Sequence, residues 1–349
     1  MKYLFVACLL CLSVLSAVAK VPAMNKIRLT NNWEYLKGDL GGIWEAVRPA
    51  APGSSEAVPI WQPVTLPHCF NAEDAVDPDV NYYEGPGWYK TLLAIDNPYR
   101  NGRIVLDFDG AGQKTDVYVY TTHVGSHVGG YDSWNVDITD AVKAFLGSKD
   151  AERFKGKVPL SIRCDNSRDL EMIPSDLADF NIYGGLYRYL NLVYLPEVSF
   201  EQIHLESSLS SNLKEGILKV KTSFYNPEDI RKADVTVSVY DVDRKPVFSK
   251  TLEGILPLGD QLLAKMKIKN PVLWDVDVPQ LYTCELTVKT PEQTFTTEER
   301  FGFRHTEFKD KGPFFLNGKR LLLRGTHRHE DHAGVAQAMT EDMMRREMR

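Results

Sequence analysis

Residues 218–224 read Leu-Lys-Val-Lys-Thr-Ser-Phe, and this alternation gives the clearest indication of the fold class. Apolar or weakly polar residues occupy every second position, so one face of an extended segment is apolar. This period of two is typical of a β-strand with one side in a core. Residues 235–240, 264–268 and 282–288 repeat the pattern. Strands at this spacing predict an immunoglobulin-like β-sandwich over residues 198–303.

The residues before this sandwich also form short alternating runs, broken by Gly, Pro, Asn and Asp. Residues 103–109 and 115–120 both alternate with a period of two. Helical patterns are scarce, and Asp140–Leu146 is the best short candidate. Many strands with long loops predict a β-sandwich of the jelly-roll type over residues 20–197.

The sequence changes character after the second sandwich. The Asn317-Gly318 pair lies between two apolar runs and predicts a hairpin turn. The apolar segment Arg320–Arg324 predicts a short strand, and Thr340 can cap a helix that follows it. We therefore expect residues 304–349 to form the first strand and a partial helix of a larger β/α domain, cut short at the end of the chain.

Length and charge limit the function classes. The chain has 349 residues, of which 43% are hydrophobic and 25% charged, and a formal net charge of −6. Acidic and basic residues are well mixed, so no basic stripe indicates a nucleic-acid partner. A polar, uncharged substrate such as a sugar is compatible with this balance. Of the five cysteines, Cys8 and Cys11 lie in an apolar N-terminal run that is expected to be removed. The other three are widely spaced and predict buried free thiols rather than a disulfide framework: Cys69, Cys164 and Cys284.

The N-terminus carries the pattern of a cleavable signal peptide. Lys2 is followed by an apolar run over residues 3–18, and the run closes in Ala17-Val18-Ala19. A short positive start, an apolar stretch too short to span a bilayer and an A-x-A end are typical of such peptides. We expect residues 1–19 to be removed and the protein to be exported, either to the periplasm or out of the cell. No other segment is apolar enough to span a membrane.

Two clusters combine glycines, aromatic residues and charges. Residues 124–139 (VGSHVGGYDSWNVDIT) are compatible with a ligand-facing loop, but a plain hairpin explains them better. Residues 179–188 (DFNIYGGLYR) bring Asp179, several aromatic residues and Arg188 together. Carboxylates accept hydrogen bonds from two hydroxyls and aromatic rings stack on sugar faces, so this cluster indicates a sugar site. An Arg188–Asp179 ion pair that only holds the loop is an equally good interpretation.

A third cluster, residues 326–334 (THRHEDHAG), matches the H-x-H-x-D-H zinc signature of the metallo-β-lactamase fold. His327 and His329 share one face of an extended segment, and Asp331 with His332 could complete a two-metal site. That fold needs further ligands well downstream, and the chain ends soon after this cluster. A zinc hydrolase is therefore the weaker alternative.

Taken together, the motifs of this chain resemble glycoside hydrolase family 2, the β-galactosidase-like family, in order and over its whole length after the signal peptide. They are residues 84–89 (EGPGWY), 124–139, 179–188, 273–282 (LWDVDVPQLY), 301–304 (FGFR) and 316–332 (LNGKRLLLRGTHRHEDH). The resemblance implies a sugar-binding jelly roll, an immunoglobulin-like sandwich and then the start of a catalytic (β/α)₈ barrel at residues 304–349.

The resemblance also implies roles for individual residues. Asp179 matches the family's aspartate that reaches from the first domain into the barrel mouth to bind sugar hydroxyls. His329 matches the barrel histidine that contacts the sugar at the cleavage site. Arg324 and Glu330 lie in the same run and are expected to orient that strand, and Arg188 is expected to support the loop. The family usually has Asn where this chain has His327, which leaves local details of the sugar site open.

The implied reaction is retaining hydrolysis of a β-glycosidic bond. One glutamic acid protonates the leaving oxygen, and a glutamate about 5–5.5 Å away attacks the anomeric carbon. In the family both glutamates lie on later barrel strands, so the resemblance places them beyond Arg349 and assigns this chain no catalytic residue. We therefore expect this chain alone to be inactive.

The substrate is expected to be a carbohydrate with a terminal β-linked sugar. β-Galactosidase is favoured because it is the commonest activity of the family, whereas β-glucuronidase and β-mannosidase share the same domains. A non-catalytic carbohydrate-binding protein is an alternative of a different class. No cofactor is evident, although the family's divalent-cation ligands, where present, would lie downstream, and the full-length protein could form a homo-oligomer.

Overall fold

The computed structural model describes residues 21–49, 59–74, 76–175 and 181–349. The predicted signal peptide lies outside these residues. In the first half of the chain the strands are β1 (Val21–Pro22), β2 (Asn25–Arg28), β3 (Trp33–Lys37), β4 (Gln62–Val64), β5 (Pro86–Leu93), β6 (Arg103–Phe108), β7 (Lys114–Val119), β8 (Thr122–Val128), β9 (Trp134–Asp137), β10 (Val158–Asp165) and β11 (Leu190–Leu195). The helices there are α1 (Trp44–Val47), α2 (Thr139–Leu146) and α3 (Asp150–Arg153).

Strands β2 to β11 form the first sandwich. One sheet has the order β4-β3-β5-β10-β7-β8 and the other has the order β2-β11-β6-β9, with antiparallel pairing in both. The core between them contains large, fully buried side chains, among them Trp33, Tyr89, Leu106 and Phe108. The predicted jelly-roll-type sandwich is confirmed, and α2 forms where the best helical pattern lies.

Strands β12 to β18 form the second sandwich together with β1, which pairs with β18. Their bounds are β12 (Ser199–Leu209), β13 (Glu215–Tyr225), β14 (Ala233–Tyr240), β15 (Pro246–Ile255), β16 (Gly259–Lys269), β17 (Tyr282–Lys289) and β18 (Thr294–Phe301). The sheets have the orders β12-β13-β16 and β1-β18-β17-β14-β15. Buried and partly exposed residues alternate along β13 and β14, as the period of two predicts. The immunoglobulin-like fold is thereby confirmed.

An ion-pair network connects the two sandwiches. Arg103 on β6 is only 7% exposed; its Nε donates to Asp137 Oδ2 at 2.8 Å and its Nη1 donates to Glu228 Oε1 at 2.7 Å. Burial opposes the charge on Asp137, but hydrogen bonds from Arg103, Thr139 and Tyr225 outweigh it and hold the pKa of this carboxyl below its usual range. Because Asp137 belongs to the first sandwich and Glu228 to the second, this network fixes one against the other.

The third part of the chain starts with a small meander of β19 (Thr306–Phe308), β20 (Phe314–Leu316) and β21 (Lys319–Arg320) and ends with helix α4 (Glu341–Glu347). Asn317 and Gly318 both have positive φ, at 50° and 78°, so the predicted hairpin turn is confirmed. The Oγ1 of Thr340 accepts a hydrogen bond from the Met343 amide, as expected for a helix cap.

The strand predicted at Arg320–Arg324 forms only at its first residue, because β21 ends at Arg320. Leu322 and Leu323, which follow, are 67% and 66% exposed. A barrel strand obtains its hydrogen bonds and its apolar cover from neighbouring strands. Within the described residues, the Leu321 amide still donates to the Phe314 carbonyl at 3.0 Å, but no strand pairs with residues 322–324.

The three cysteines of the described residues are buried and free, as predicted. Burial raises the pKa of each thiol to about 12, so they are inert protonated side chains at neutral pH. Among the described helices, none combines the length and the apolar character that a membrane span requires.

Candidate functional site

The site lies where a loop of the first sandwich meets the third part of the chain. A cluster of buried side chains from both sides packs at this junction. The sandwich contributes Cys69, Ala72, Tyr183 and Tyr187, and the third part contributes Ala336 and Ala338. This cluster holds the segment after His329 against the loop at residues 183–187, although the two are far apart in the sequence.

Polar contacts flank this buried cluster. The Arg188 guanidinium forms an ion pair with the Glu330 carboxylate. The Tyr183 hydroxyl donates to Asp331 Oδ2 at 3.4 Å, and burial together with the Asp331 charge raises the pKa of Tyr183. The sandwich loop therefore holds the two acidic residues directly after His329.

A third contact fixes the start of α4. The backbone amide of Glu341 donates to the Tyr189 hydroxyl at 2.8 Å. The Arg28 guanidinium lies 3.7 Å from the centre of the Tyr189 ring, in a cation–π contact that holds the ring in place. The first turn of the helix is thus tied to the first sandwich.

Between these contacts lies a cavity of about 320 Å³. His329 and Glu330 line it from the third part of the chain. The remaining polar or aromatic lining side chains are Tyr131, Asn181, Tyr183, Asp331 and Gln337. A concave site with a few convergent polar groups and an aromatic rim is suited to a small polar ligand such as a sugar ring.

The predicted site residues do not all converge on this cavity. Asp179 lies outside the described residues, so neither its predicted sugar contact nor an Arg188–Asp179 ion pair is tested. Arg324 is exposed on the unpaired segment and is absent from the cavity wall. The roles of His329, Glu330 and Arg324 stay predictions. The position of Gln337 in the cavity wall was not predicted, because this residue lies outside every motif, whereas Asn181 lies within the 179–188 cluster but was not singled out there.

The histidine cluster does not assemble a metal site in the structure. Among residues 21–49, 59–74, 76–175 and 181–349, no three His, Cys, Asp or Glu side chains are grouped closely enough to hold a metal ion. The Nε2 of His332 faces Glu347 Oε1 at 3.8 Å, and its Nδ1 lies 3.0 Å from the Ala333 carbonyl oxygen. The geometry gives the zinc hydrolase alternative no support.

Two β-sandwiches followed by the start of a third domain define a modular, mainly β protein. Matches to models of protein families identify the family of this chain. Those of the glycosyl hydrolases family 2 match in chain order: the sugar binding domain at residues 39–196, the central domain at 198–304 and the TIM barrel domain at 307–349. The chain belongs to glycosyl hydrolase family 2.

Individual proteins that are similar to this chain include beta-glucuronidases. The apo structure of Bacteroides uniformis beta-glucuronidase 3 is 55% identical with a TM-score of 0.84, and the match covers 94% of this chain and 41% of that chain. A relative from Formosa agariphila is 35% identical over 93% of this chain and 36% of its own length. A beta-glucuronidase from Bacteroides fragilis is 31% identical over 79% of this chain and 39% of its own length.

A beta-galactosidase from Thermoanaerobacter pseudethanolicus is 25% identical over 90% of this chain and 40% of its own length. This chain therefore spans about two fifths of the curated relatives it matches.

Proposed function

We propose that the protein to which this sequence belongs is a retaining β-glycosidase that removes terminal β-linked glucuronic acid. The observation that carries the proposal is the 55% identity to a beta-glucuronidase across both sandwiches and the start of the barrel. The identity to a beta-galactosidase is 25%, so similarity favours the glucuronidase alternative over the galactosidase expected from family frequency. β-Mannosidase remains the third candidate activity.

In this proposal, the described residues form part of the wall of the sugar site. His329 contacts the sugar from the barrel side, and Asp179 does so from the sandwich side. Arg188 and Glu330 hold the two sides together through their ion pair. The acid and the nucleophile would be two glutamates of the barrel, which divide hydrolysis into formation and breakdown of a glycosyl-enzyme intermediate.

The test is hydrolysis by the product of the whole reading frame that encodes this chain. We expect kcat/KM for 4-nitrophenyl β-D-glucuronide to exceed the values for the β-galactoside and the β-mannoside by at least about tenfold, about 1.4 kcal/mol in transition-state binding. Because residues 1–19 are proposed to direct export, the protein should be recovered outside the cytoplasm with its N-terminus near Lys20.

Other outcomes have definite meanings. A preference for the galactoside or the mannoside would support the proposed glycosidase activity and reject glucuronic acid as the preferred sugar. If the protein hydrolyses none of these β-glycosides, the proposed enzymatic activity is rejected and the non-catalytic carbohydrate-binding protein remains as the alternative. Residues 20–349 alone should release no nitrophenol above a blank, and release by this piece would contradict the expected position of the two glutamates.

A further inference from the structure

Two of the most exposed apolar side chains of the first sandwich lie in one turn beside the cavity. Ile173 is 87% exposed, the highest value among the large apolar side chains that the structure describes, and Leu170 is 73% exposed. Ile173 and Pro174 line the same cavity as His329. We call Leu170, Ile173 and Pro174 the apolar lip. Single exposed apolar residues are common, but a group of them beside a cavity indicates a binding surface.

The turn that carries the apolar lip is held in place by its other residues. Lys114 Nζ on β7 donates to Asp169 Oδ2 at 2.6 Å, and Asp169 Oδ1 accepts from the Glu171 amide at 2.9 Å. Met172 directly precedes Ile173, yet its side chain is buried. The exposure of the lip is therefore set by an anchored backbone, which is what a group that selects a ligand requires.

The same turn is connected to the cavity wall. Asn166, just before the turn, is fully buried, and its Nδ2 donates to the Ile182 carbonyl oxygen at 2.8 Å. Asn181 and Tyr183, on either side of Ile182, line the cavity. The apolar lip and this part of the wall thus have a common support, so their relative position is fixed.

The size of the cavity limits what it can enclose. Its volume of about 320 Å³ lies near the lower end of the range for ligand pockets, which suits one sugar ring. The group joined to that sugar by the glycosidic bond must therefore extend beyond the cavity. Ile173 lines the cavity and is still almost fully exposed, so it lies at the edge. A group that extends over this edge contacts the apolar lip.

The chemistry of the apolar lip selects the kind of group that it can bind. The side chains of Leu170, Ile173 and Pro174 are aliphatic and offer neither hydrogen-bond donors nor acceptors. A second sugar placed on them would lose hydrogen bonds to water without replacement. An apolar group would instead gain free energy, because its surface leaves water.

We propose that the apolar lip binds an apolar aglycone, the aliphatic or aromatic group that hydrolysis releases from the sugar. This inference rests on the proposed glycosidase function and names the class of its leaving group. Hydrolysis breaks the bond between the anomeric carbon and the aglycone oxygen, and the aglycone leaves as its alcohol once the barrel acid has protonated that oxygen. Leu170 and Ile173 act by binding this group and take no part in the bond-breaking step.

The experiment uses the full-length enzyme with hexyl and methyl β-D-glucuronide, which release unbranched alcohols and differ in apolar area. A third substrate carries glucose in place of the hexyl group. We expect the wild type to favour the hexyl over the methyl compound by at least about tenfold in kcat/KM, because several CH₂ groups are buried. Leu170→Ser with Ile173→Ser should reduce this ratio by roughly three- to tenfold and leave kcat/KM for the methyl compound unchanged.

Ile60→Ser is the matched control. Ile60 is 85% exposed just before β4 and is not among the residues that line the cavity. This variant should hydrolyse all three substrates as the wild type does, and Ile173→Leu, which keeps an aliphatic side chain, should retain the wild-type ratio. Thermal unfolding of all variants shows whether they are folded, and Ile173→Ser alone replaces the double variant if that is not.

Equal losses on the hexyl and methyl compounds would mean that the lip packs against another part of the protein, and no loss would mean that it does not contact the aglycone. A wild-type preference for the glucosyl over the hexyl compound would identify a second sugar as the occupant. Each of these results overturns the inference while the glycosidase proposal stands. If the wild type prefers a galactoside, the same series is made with galactose. If it cleaves no β-glycoside, the proposed function and this inference both fail.

Discussion

His68 is a single residue whose surroundings fix its protonation state. Its Nδ1 lies 2.8 Å from the Tyr89 hydroxyl, and its ring packs 5.1 Å from that of Tyr35. Burial lowers the pKa of His68 to about 4. In the unfolded chain His68 becomes protonated near pH 6.5, whereas in the folded chain it stays neutral down to about pH 4. Protonation therefore favours the unfolded state, and the stability of the fold decreases as the pH falls from about 6.5 to about 4.

We therefore predict that the free energy of unfolding declines over this pH range, with up to about 3 kcal/mol from His68 by the lower limit. Urea unfolding at several pH values from 7 to 4.5 measures the decline, and His68→Asn should flatten it. His204, whose side chain is 69% exposed, provides the control variant His204→Asn. Equal slopes in the wild type and the His68 variant would contradict this assignment.

At this scale, the sequence predicted residues that belong to local motifs. The cap at Thr340 and the turn at Asn317-Gly318 follow from hydrogen bonding and φ preferences within a few residues. The place of Gln337 in the cavity wall could not be predicted, because this wall forms only after two distant segments have packed together.

Among the elements, the hairpin between β20 and β21 depends on one glycine. Gly318 has φ of 78°, and a Cβ added there would meet no atom within 4 Å. Gly318→Ala should therefore lower the free energy of unfolding by about 1–2 kcal/mol through backbone strain alone, since left-handed φ is costly for residues with a Cβ. Urea unfolding at pH 7 measures the change.

Gly325 provides the matched control for this prediction. It also has no atom within 4 Å of an added Cβ, and its φ is not in the left-handed region. Gly325→Ala should leave stability unchanged or raise it slightly by reducing the freedom of the unfolded chain. Equal effects of the two substitutions would mean that the hairpin does not require a left-handed residue.

The strands of the second sandwich were predictable because their pattern is local and strong. Along β13, alternate residues are buried throughout, as the apolar positions of residues 218–224 predict. The segment Arg320–Arg324 is a contrasting case. Its composition favours a strand, but a strand inside a parallel barrel needs partners on both sides, and propensity alone cannot provide them.

For the whole molecule, the junction between the first sandwich and the third part depends on charge. Arg188→Glu would place two carboxylates together and should loosen residues 329–341, while Arg188→Glu with Glu330→Arg should restore the contact. The cost is about 1 kcal/mol or less, since both side chains are partly exposed. Hydrogen exchange followed by mass spectrometry should report faster exchange of these amides in the single variant only.

A similar ion pair elsewhere serves as the control. Arg244 and Glu298 form an exposed pair in the second sandwich. Arg244→Glu should leave exchange in residues 329–341 unchanged. Faster exchange there in both single variants would show a general loss of stability rather than a loss of this junction.

The order of the domains was predictable from ordered motifs, whereas their mutual contacts were not. Buried networks such as Arg103 with Asp137 and Glu228 join residues from different sandwiches. Each partner alone is an ordinary surface-type residue in the sequence. Only the three-dimensional fold reveals that Arg103 is enclosed and that both carboxylates face it.

The Arg188–Glu330 and Tyr183–Asp331 contacts also bear on recombination between relatives. A crossover placed between the second sandwich and the barrel would pair a loop from one parent with acidic partners from the other. The two halves would then have to match by chance at the wall of this cavity. Chimeras that inherit residues 181–189 and 329–341 from the same parent keep these contacts, so the unit of exchange is the junction and not the domain.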